Sequence, residues 1–451
     1  MRAPVLYDAI ARPFQQWGLC AHSIAQGAVC RCAGLTRFRR RVRDVETMGT
    51  EEIRDWQQRQ LHDLMQYAVR HVPFYHGRPC ANSPAEALRA LSTWPILLKD
   101  EVVAARRKLR ADRLQLRFRS FTSGSTGTPM TLYRTPQSVA IERALIERQL
   151  RWVGWRPGDR RVWLRGAHIL PLDSWRGPFW RHNAAEHMLV CSSFHLRDDT
   201  IAHYVSAMED FNPGVIQAYP SSIACIARWL LRYRRRYRVG NLKGIVTSSE
   251  TISELQRQQI CSAFGVPVFD WYGQAERVGA IGTCSHGSYH IMEDSGLLEL
   301  LVQSNGVAEV VGTGFGNQVM PLLRYRTGDQ VVLKDSSFRC ACGSAFRCID
   351  RVLGRASERI VTSDGREHVM LDFIFDGVDG VRQAQIVQER LDEVCLRVVL
   401  YPGVRLQDVA ILVDRARYRL GGHVLIGLQQ VESLELSPSG KLPFIVNKQA
   451  K

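Results

Sequence analysis

The stretch Phe121-Thr-Ser-Gly-Ser-Thr-Gly-Thr-Pro129 is the most informative part of this chain. It places two glycines and five hydroxyl side chains in one short loop, after the extended-looking run from Leu114 to Phe118. Glycines let a backbone approach a ligand closely and turn its N–H groups toward it, and hydroxyl groups add further donors. The loop therefore suits phosphate groups, and the candidate contacts are Ser123, Gly124, Ser125, Thr126, Gly127 and Thr128.

This loop is not the phosphate loop of kinases and GTPases. The G-x-x-x-x-G-K-[ST] spacing is absent, and Met130 stands where a lysine would be expected. Clusters of Ser, Thr and Gly are also common in solvated turns. The loop by itself leaves phosphate binding and an ordinary turn both open.

The composition is that of a globular protein with more than one domain. The chain has 451 residues, of which 45% are hydrophobic and 23% are charged. This length exceeds one ordinary core and indicates two or three domains. The formal net charge of +16 favours anionic partners such as nucleotides, coenzyme thiols or acidic lipid. Neither an aromatic-stacking strand motif nor a helix-turn-helix pattern is evident, so no nucleic-acid partner is expected.

The sequence predicts a cytoplasmic protein. No cleavable signal peptide is evident, no apolar run reaches the roughly 18 residues of a spanning helix, and the 12 cysteines are scattered. The basic run Arg37-Phe-Arg-Arg-Arg-Val-Arg43 follows a segment of apolar and small residues. One interpretation is peripheral contact with an acidic membrane through this N-terminal segment. The other, which we favour because a clean polar face is missing, is a helix packed on the body of the protein.

Strand-like and helical segments alternate through the middle of the chain, which predicts a mainly parallel α/β sheet. A β-rich stretch follows at 297–333, and past Gly354 the pattern indicates a small α+β domain of about a hundred residues. The predicted helices are 50–72, 138–153 and 223–237, and the predicted strands of the alternating region are 161–165, 214–218, 244–248 and 267–270.

Two segments place a carboxylate after a predicted strand. In Trp271-Tyr-Gly-Gln-Ala-Glu276, Glu276 lies where open α/β sheets bind ligands and could hold Mg²⁺ between phosphates. In Leu323-Arg-Tyr-Arg-Thr-Gly-Asp329, Asp329 could accept both ribose hydroxyls. For Glu276 the alternative is an ordinary exposed glutamate, and for the segment with Asp329 it is a hairpin turn.

Two further segments carry a cation beside a glycine. Gly354-Arg355 could place a guanidinium on ribose or phosphate. Ser437-Pro-Ser-Gly-Lys441 could bring a lysine to an anionic centre and stabilise developing charge. For Arg355 the alternative is an ordinary surface arginine, and for Lys441 it is a flexible basic tail.

In this order the five segments resemble the adenylate-forming superfamily of acyl-CoA ligases, adenylation domains and luciferases. Within it, the chain resembles the phenylacetate–CoA ligase branch and its CapK-like proteins, which are linked to capsular polysaccharide synthesis. The finer resemblance rests on Leu64–Tyr75, Trp94–Lys99 and Gln217–Ser221.

The resemblance implies a large α/β domain with parallel sheets and a β-rich subdomain, followed by a small mobile α+β domain. The expected divisions are 1–48, a helical extension; 49–354, the ATP- and acid-binding domain; and 355–451, the domain that carries Lys441.

The resemblance implies ATP-dependent activation of a carboxylic acid to an acyl-adenylate, release of pyrophosphate, and transfer to coenzyme A. The loop at 123–128 would hold phosphates, Tyr272 and Gly273 would line the nucleotide site, and Glu276 would hold Mg²⁺. Asp329 would bind ribose, Arg355 ribose or phosphate, and Lys441 would bridge carboxylate and phosphate. The expected acid pocket has the aromatic residues Tyr219, Trp271 and Tyr272, for which core packing is the alternative.

Departures from the family pattern keep two alternatives open. The hinge segment reads Gly354-Arg-Ala-Ser-Glu358, and Ser248-Ser249-Glu250 replaces the more usual glycine or alanine before the glutamate. The acyl group could instead pass to an amine, a hydroxyl or a carrier-protein thiol. A relative that binds nucleotide without turnover is the other alternative, against which the retention of Glu276, Asp329 and Lys441 argues.

A close cysteine pair suggests a metal site. Cys340 and Cys342 are separated by one residue, and Cys284, His286 and His290 lie upstream. Zinc prefers tetrahedral sets of Cys and His ligands. The resemblance to the phenylacetate–CoA ligase branch implies a structural Zn²⁺ held by Cys284, His290, Cys340 and Cys342. The alternative is a set of reduced cysteines near a turn.

Overall fold

The computed structural model describes most of the chain. The described residues are 12–121, 130–171, 174, 176–303, 306–355, 359–363, 367–368, 371–375, 378, 380–434, 436 and 441–449. The predicted phosphate loop from Ser123 to Thr128, the hinge residues Ser357 and Glu358, and Ser437–Gly440 lie outside them. What the sequence predicts for these segments stays a prediction.

The described residues form ten α-helices, several of which begin at recognisable signals. Pro136 and Pro220 start two of them, where a fixed φ and a missing N–H are tolerated. The helices are α1 Arg12–Cys32, α2 Leu35–Glu46, α3 Thr50–His71, α4 Ala87–Ser92, α5 Lys99–Ala104, α6 Pro136–Trp152, α7 Asp198–Phe211, α8 Pro220–Arg232, α9 Glu254–Phe264 and α10 Ile411–Leu420. No helix in the described part of the chain is long and apolar enough to cross a membrane.

Twenty strands make up the sheets of the described chain. They are β1 Phe118–Phe121, β2 Thr131–Arg134, β3 Arg161–Arg165, β4 Trp180–Asn183, β5 Met188–Ser192, β6 Val215–Ala218, β7 Gly244–Ser248, β8 Val268–Gly273, β9 Ala280–Thr283, β10 Tyr289–Ile291, β11 Gly296–Val302, β12 Val307–Gly314, β13 Tyr325–Leu333, β14 Cys348–Arg355, β15 Ile360–Val361, β16 Glu367–His368, β17 Val381–Arg390, β18 Glu393–Leu400, β19 Leu425–Gln430 and β20 Ile445–Asn447.

The largest sheet has twelve strands in the order β11-β12-β13-β14-β10-β9-β8-β7-β6-β3-β5-β4. The strands that run parallel to one another are β3, β5, β6, β7 and β8. Antiparallel pairs are added by β4 at one end of the sheet and by β9, β10, β14, β13, β12 and β11 at the other. The parallel half is buried on both faces, as helix-covered parallel strands are, and its largest core packs α7, α8 and α9 against it. The predicted α/β fold is confirmed, but only five of the twelve strands are parallel to one another.

A separate four-stranded sheet lies near the C-terminus in the order β19-β18-β17-β20. With α10 it encloses its own hydrophobic core. The predicted boundary after Gly354 falls within the last two residues of β14, and the predicted boundary after residue 48 falls between α2 and α3. The division into three domains stays a prediction.

Three of the predicted elements differ from the observed ones by more than two residues at one or both ends. The helix expected over 223–237 covers Pro220–Arg232, because Pro220 starts it earlier and Arg234 adopts a left-handed backbone with φ 50°. The expected extended run at 114–118 becomes a strand only from Phe118. The strand expected at 267–270 continues to Gly273, which brings the Trp-Tyr-Gly motif into the sheet.

Candidate active site

The carboxyl ends of three parallel strands meet at one edge of the large sheet. Cross-strand pairs Ala218↔Thr247 and Thr247↔Asp270 align the ends of β6, β7 and β8. Tyr219 follows β6, Ser249 and Glu250 follow β7, and Tyr272 lies near the end of β8. Open α/β sheets bind ligands at this edge, so the topology places the predicted motifs where a ligand site is expected.

Asp329 is in contact with two other predicted site residues. The hydroxyl of Tyr272 donates to Asp329 Oδ2 over 2.6 Å, and Arg355 Nε lies 3.8 Å from Asp329 Oδ1. Burial raises the pKa of Asp329, while the bond from Tyr272 and the charge of Arg355 oppose the shift. Three of the predicted site residues are therefore in direct contact.

Local backbone geometry explains how Asp329 and Arg355 face each other. Gly328 and Gly354, the residues just before them, have φ angles of 75° and 83°. Such left-handed angles are costly for residues with a Cβ. Asp329 is paired with Arg355 across β13 and β14, and the register shifts next to this pair, as at a β-bulge. The Gly-Asp and Gly-Arg motifs are thus two halves of one irregular strand pair.

Glu276 contacts a tyrosine and lies near an arginine. Tyr325 donates its hydroxyl to Glu276 Oε1 over 3.1 Å. Arg134, the last residue of β2, donates to the carbonyl of Ala275. Burial lowers the pKa of Arg134 to about 10, and the negative charge of Glu276 opposes that shift. The guanidinium therefore stays charged at neutral pH beside the carboxylate that is predicted to hold Mg²⁺.

Sequence reasoning missed Arg134. Met130, which stands in the place of a lysine, is buried in the core with Leu132. Side chains alternate along a strand, so Leu132 and Arg134 share a face of β2, and that face is turned to the body of the protein. One signal in the sequence could have identified Arg134: it is a basic residue at the end of the strand that follows the Ser/Thr/Gly loop.

The segment after the C-terminal glycine loop reaches the same edge of the sheet. The backbone N–H of Leu442 donates to Glu250 Oε1 over 3.0 Å. Ser221, in the first turn of α8, donates its N–H and its hydroxyl to the same carboxylate over 2.9 and 3.0 Å. The charge of Lys441 also acts on Glu250. Lys441 is therefore brought to the site although it lies far along the chain.

Glu250 and Ser249 are the other residues whose roles sequence reasoning missed. Burial raises the pKa of Glu250, against the hydrogen bonds from Ser221 and Leu442 and the charge of Lys441. Ser249 has a φ of 73°, a left-handed angle that suits the glycine more usual at this place. Its hydroxyl accepts a hydrogen bond from Arg165, which ties the strained turn to the end of β3.

The three aromatic residues predicted to line an acid pocket do not share one surface. Tyr219 is buried, and the guanidinium carbon of Arg165 lies 5.4 Å from its ring centre. Tyr272 points toward Asp329. Trp271, its neighbour on β8, packs against hydrophobic clusters that include residues of α2, α3 and α6, on the opposite face. Trp271 is partly buried in this packing, and the acid-binding roles of Tyr219, Trp271 and Tyr272 stay predictions.

A second cluster of predicted residues lies between β9, β10 and the loop before β14. The ligand atoms of Cys284, His290, Cys340 and Cys342 all lie within 4.8 Å of one another. Sγ of Cys284 is 3.6 Å from Sγ of Cys340, and Sγ of Cys342 is 3.3 Å from Nε2 of His290. A tetrahedral zinc with Zn–S bonds of ~2.3 Å needs sulfur atoms about 3.8 Å apart. The four residues fit zinc, while His286 lies exposed outside the cluster.

The surroundings of His290 support the same geometry. Nδ1 of His290 lies 3.2 Å from the carbonyl oxygen of Phe346 and 3.5 Å from Sγ of Cys348. A zinc-bound histidine usually donates its other ring N–H to a carbonyl or carboxylate, which fixes the tautomer. A proton on Nδ1 would leave Nε2, which lies 3.3 Å from Sγ of Cys342, available to a metal ion.

Comparisons with known proteins identify homologues of this chain. The CapK C-terminal domain family matches residues 360–448. Protein CapK of Staphylococcus aureus is 24% identical over 360 residues, which cover 78% of this chain and 79% of that protein. The chain is a homologue of CapK and of the phenylacetate–coenzyme A ligases. The phenylacetate–coenzyme A ligase of Thermus thermophilus is 26% identical over 338 residues, covering 70% of this chain and 74% of that enzyme.

Solved structures show the same fold. A 2-hydroxyisobutyryl-CoA ligase in its postadenylation state with 2-HIB-AMP matches with a TM-score of 0.67 and 17% identity, over 90% of this chain and 91% of that one. The same ligase in its thioesterification state, with 2-HIB-AMP and CoA, gives a TM-score of 0.56 and 18% identity, over 89% and 91%. The fold implied by the five motifs is confirmed, and the homologues confirm the branch implied by the finer resemblance.

Proposed function

We propose that this protein is an AMP-forming acid–thiol ligase. It would activate a carboxylic acid with ATP to give an acyl-adenylate and pyrophosphate, and then transfer the acyl group to coenzyme A. The observation that carries the proposal is the meeting of Lys441–Leu442 with the edge of the sheet that holds Tyr272, Asp329 and Glu250. The homology to phenylacetate–coenzyme A ligases supports the same reaction class.

In the first half-reaction a carboxylate oxygen attacks the α-phosphorus of ATP, and the bond from that phosphorus to the bridging oxygen of pyrophosphate breaks. Two anions must approach each other, so fixed positive charge lowers the barrier. Lys441 would lie between them. Asp329 would accept the ribose hydroxyls, with Arg355 beside it, and Arg134 would add positive charge near the phosphates. The protein forms no covalent bond and acts through position and charge.

Two metal ions fit the residues of this chain. Glu276 is the candidate carboxylate for Mg²⁺, which prefers one or two carboxylates together with phosphate oxygens. The Cys284, His290, Cys340 and Cys342 cluster would hold a structural Zn²⁺, since four protein ligands leave no open position for a substrate. Zinc there would tie the β9–β10 turn to the loop before β14, and β14 carries Arg355.

The homologues point to two candidate classes of acyl acceptor. Coenzyme A is the first candidate because phenylacetate–coenzyme A ligases are among them. Transfer to an amine, a hydroxyl or a carrier-protein thiol is the second, because CapK is also among them and acylation in polysaccharide biosynthesis would use such acceptors. Both kinds of transfer would follow the same ATP-dependent adenylation step. We propose that the reaction takes place in the cytoplasm.

The test is ATP–pyrophosphate exchange across a panel of aryl, fatty and amino acids. We expect exchange with at least one class of acid, and its loss of about 10²-fold or more in Lys441→Ala, a size typical of removing a charge that stabilises a transition state. The variant should still transfer the acyl group of a supplied acyl-adenylate. Silence of the wild-type protein across the panel, with ATP still bound, would refute the proposal and favour a relative that binds nucleotide without turnover.

A further inference from the structure

A basic cleft lies beside the β1–β2 hairpin. Its volume is about 430 Å³, and it is lined by Arg106, Arg107, Arg110, Arg119 and Tyr133. The surrounding segment, 106–119, has seven basic residues and one acidic residue, Asp112. That aspartate pairs with His71 at 3.3 Å. The nearest acidic side chain in sequence is thus engaged elsewhere.

The cleft has a fixed floor. Leu109 and Ala111 are buried in the core on either side of Arg110, and the N–H of Ala111 bonds to the carbonyl of Val319 over 3.0 Å. The guanidinium carbon of Arg110 lies 5.2 Å from the ring centre of Tyr133, and Nε of Arg110 is buried with no hydrogen-bond partner among the described residues. Anchors on both sides and an aromatic platform hold this arginine in place.

The cleft and the Glu276 side of the hairpin are separate surfaces. Arg119 and Tyr133 are paired across β1 and β2, so their side chains share one face of the hairpin. Leu132 and Arg134 occupy the other face, where Leu132 is buried and Arg134 reaches Ala275. A ligand in the cleft would therefore not compete with nucleotide phosphates held on the Glu276 side.

Four clustered guanidinium groups repel one another unless an anion lies between them. None of the four arginines forms an ion pair with a carboxylate anywhere in the described ranges. Guanidinium groups bind phosphate oxygens in pairs, and a phosphate at neutral pH carries at most about two negative charges. Four guanidinium groups therefore offer donors for more than one phosphate group, and the cleft has room for several.

We propose that this cleft binds a ligand with clustered phosphate groups, and that the ligand is the acyl acceptor; this second part rests on the proposed function. Two sources share that chemistry. Coenzyme A carries a diphosphate and a 3′-phosphate, and a nucleotide-activated sugar carries a diphosphate. Tyr133 and the arginine planes would stack on the base of either, as aromatic and guanidinium groups do.

Titration calorimetry on the full chain tests the proposal with coenzyme A and, separately, UDP-N-acetylglucosamine as probes. We expect one of them to bind, and Arg106→Gln/Arg107→Gln to raise its Kd at least about 10-fold, since charge-assisted bonds to phosphate are lost. Both arginines are exposed, so the variant should fold. The matched control is Arg59→Gln/Arg236→Gln, which removes the same charge from exposed positions elsewhere and should leave Kd within about twofold.

Binding of neither probe, or an equal loss in the control variant, would overturn the assignment. ATP–pyrophosphate exchange is measured on the same variants and should be unchanged, because the cleft faces away from Glu276. If the wild-type protein shows no exchange but still binds a probe through these arginines, the proposed function fails while the phosphate site stands. Preference for coenzyme A or for the sugar nucleotide identifies the source.

Discussion

The backbone N–H of Leu442 donates a hydrogen bond of 3.0 Å to Oε1 of Glu250, the partly buried carboxylate that follows β7. This bond joins a segment of the C-terminal part of the chain to the edge of the large sheet. Lys441 is the neighbour of Leu442, so the position of its side chain depends on the same carboxylate. We therefore propose Glu250 as a positioning residue for Lys441.

Replacing Glu250 with Gln should slow acid adenylation more than acyl transfer. The amide keeps one acceptor but loses the negative charge, and a hydrogen bond to a charged group contributes about 1.5–3 kcal/mol, so we expect a fall of roughly 10- to 100-fold in ATP–pyrophosphate exchange. Transfer from a supplied acyl-adenylate should change little, because Lys441 serves only the first step. Comparing the two rates in one preparation measures the split.

The pH dependence of stability gives an independent check on Glu250. Its folded-state pKa is raised by burial, so the folded protein binds the proton more tightly than the unfolded chain does. Stability from this group is greatest below the unfolded value of about 4.3 and falls as pH rises above it. The stability of Glu250→Gln relative to wild type should therefore improve as pH rises from 4 to 7. A difference that is flat with pH, or equal losses in both half-reactions, would contradict the assigned role.

Replacing Asp329 with Asn should weaken ATP binding. The carboxylate accepts the Tyr272 hydroxyl over 2.6 Å and is predicted to accept ribose hydroxyls, and losing charge-assisted bonds should raise KM for ATP about 10- to 100-fold. Tyr272→Phe is the matched control, since it removes the donor and leaves the carboxylate. It should raise KM less. Equal binding of ATP and of 2′,3′-dideoxy-ATP by the wild type would rule out the ribose role.

The fold and the site differ in how much of them the sequence predicts. The sequence predicted the parallel strands at 161–165 and 244–248 because strand-like and helical segments alternate in this part of the chain. The contact between Asp329 and Arg355 was not predictable from local pattern, since it arises where a glycine on each strand shifts the register. Arg134 and Glu250 were missed for a related reason: their importance comes from a partner far along the chain, Glu276 for one and Leu442 for the other.

Purified protein should contain about one zinc per chain. The Sγ and Nε2 atoms of the cluster are already at distances that suit one tetrahedral ion, so Cys340→Ser/Cys342→Ser should lose the metal and, with it, thermal stability. Elemental analysis and a thermal melt measure both. Cys32→Ser, at an exposed cysteine outside the cluster, is the control and should keep zinc and melting temperature. Absence of zinc from protein that was never exposed to chelator would refute the site.

Asp294 should be among the most sensitive positions for folding. It forms a two-pronged ion pair with Arg148 at 2.8 and 3.1 Å, and both side chains are fully buried. Removing one partner of such a pair leaves an uncompensated buried charge and costs about 3–5 kcal/mol. Asp294→Asn should therefore lower the free energy of unfolding by that amount in a denaturant titration. The double variant Arg148→Met/Asp294→Leu, which removes both charges, should recover most of it; a double variant less stable than Asp294→Asn would argue against this explanation.

The exposed apolar face of α1 makes membrane contact testable without deleting the helix. Trp17 and Ile24 are 75% and 60% exposed and are seven residues apart, so they lie on the same side of the helix. An interfacial helix binds through such side chains together with basic residues. Membrane contact therefore requires that Trp17→Ser/Ile24→Ser reduce sedimentation with vesicles that contain anionic lipid. Tyr418→Ser/Leu425→Ser changes two exposed apolar residues elsewhere and should leave binding unchanged. If wild-type protein stays in the supernatant at low salt, or both variants sediment like wild type, α1 is only a helix packed on the body of the protein.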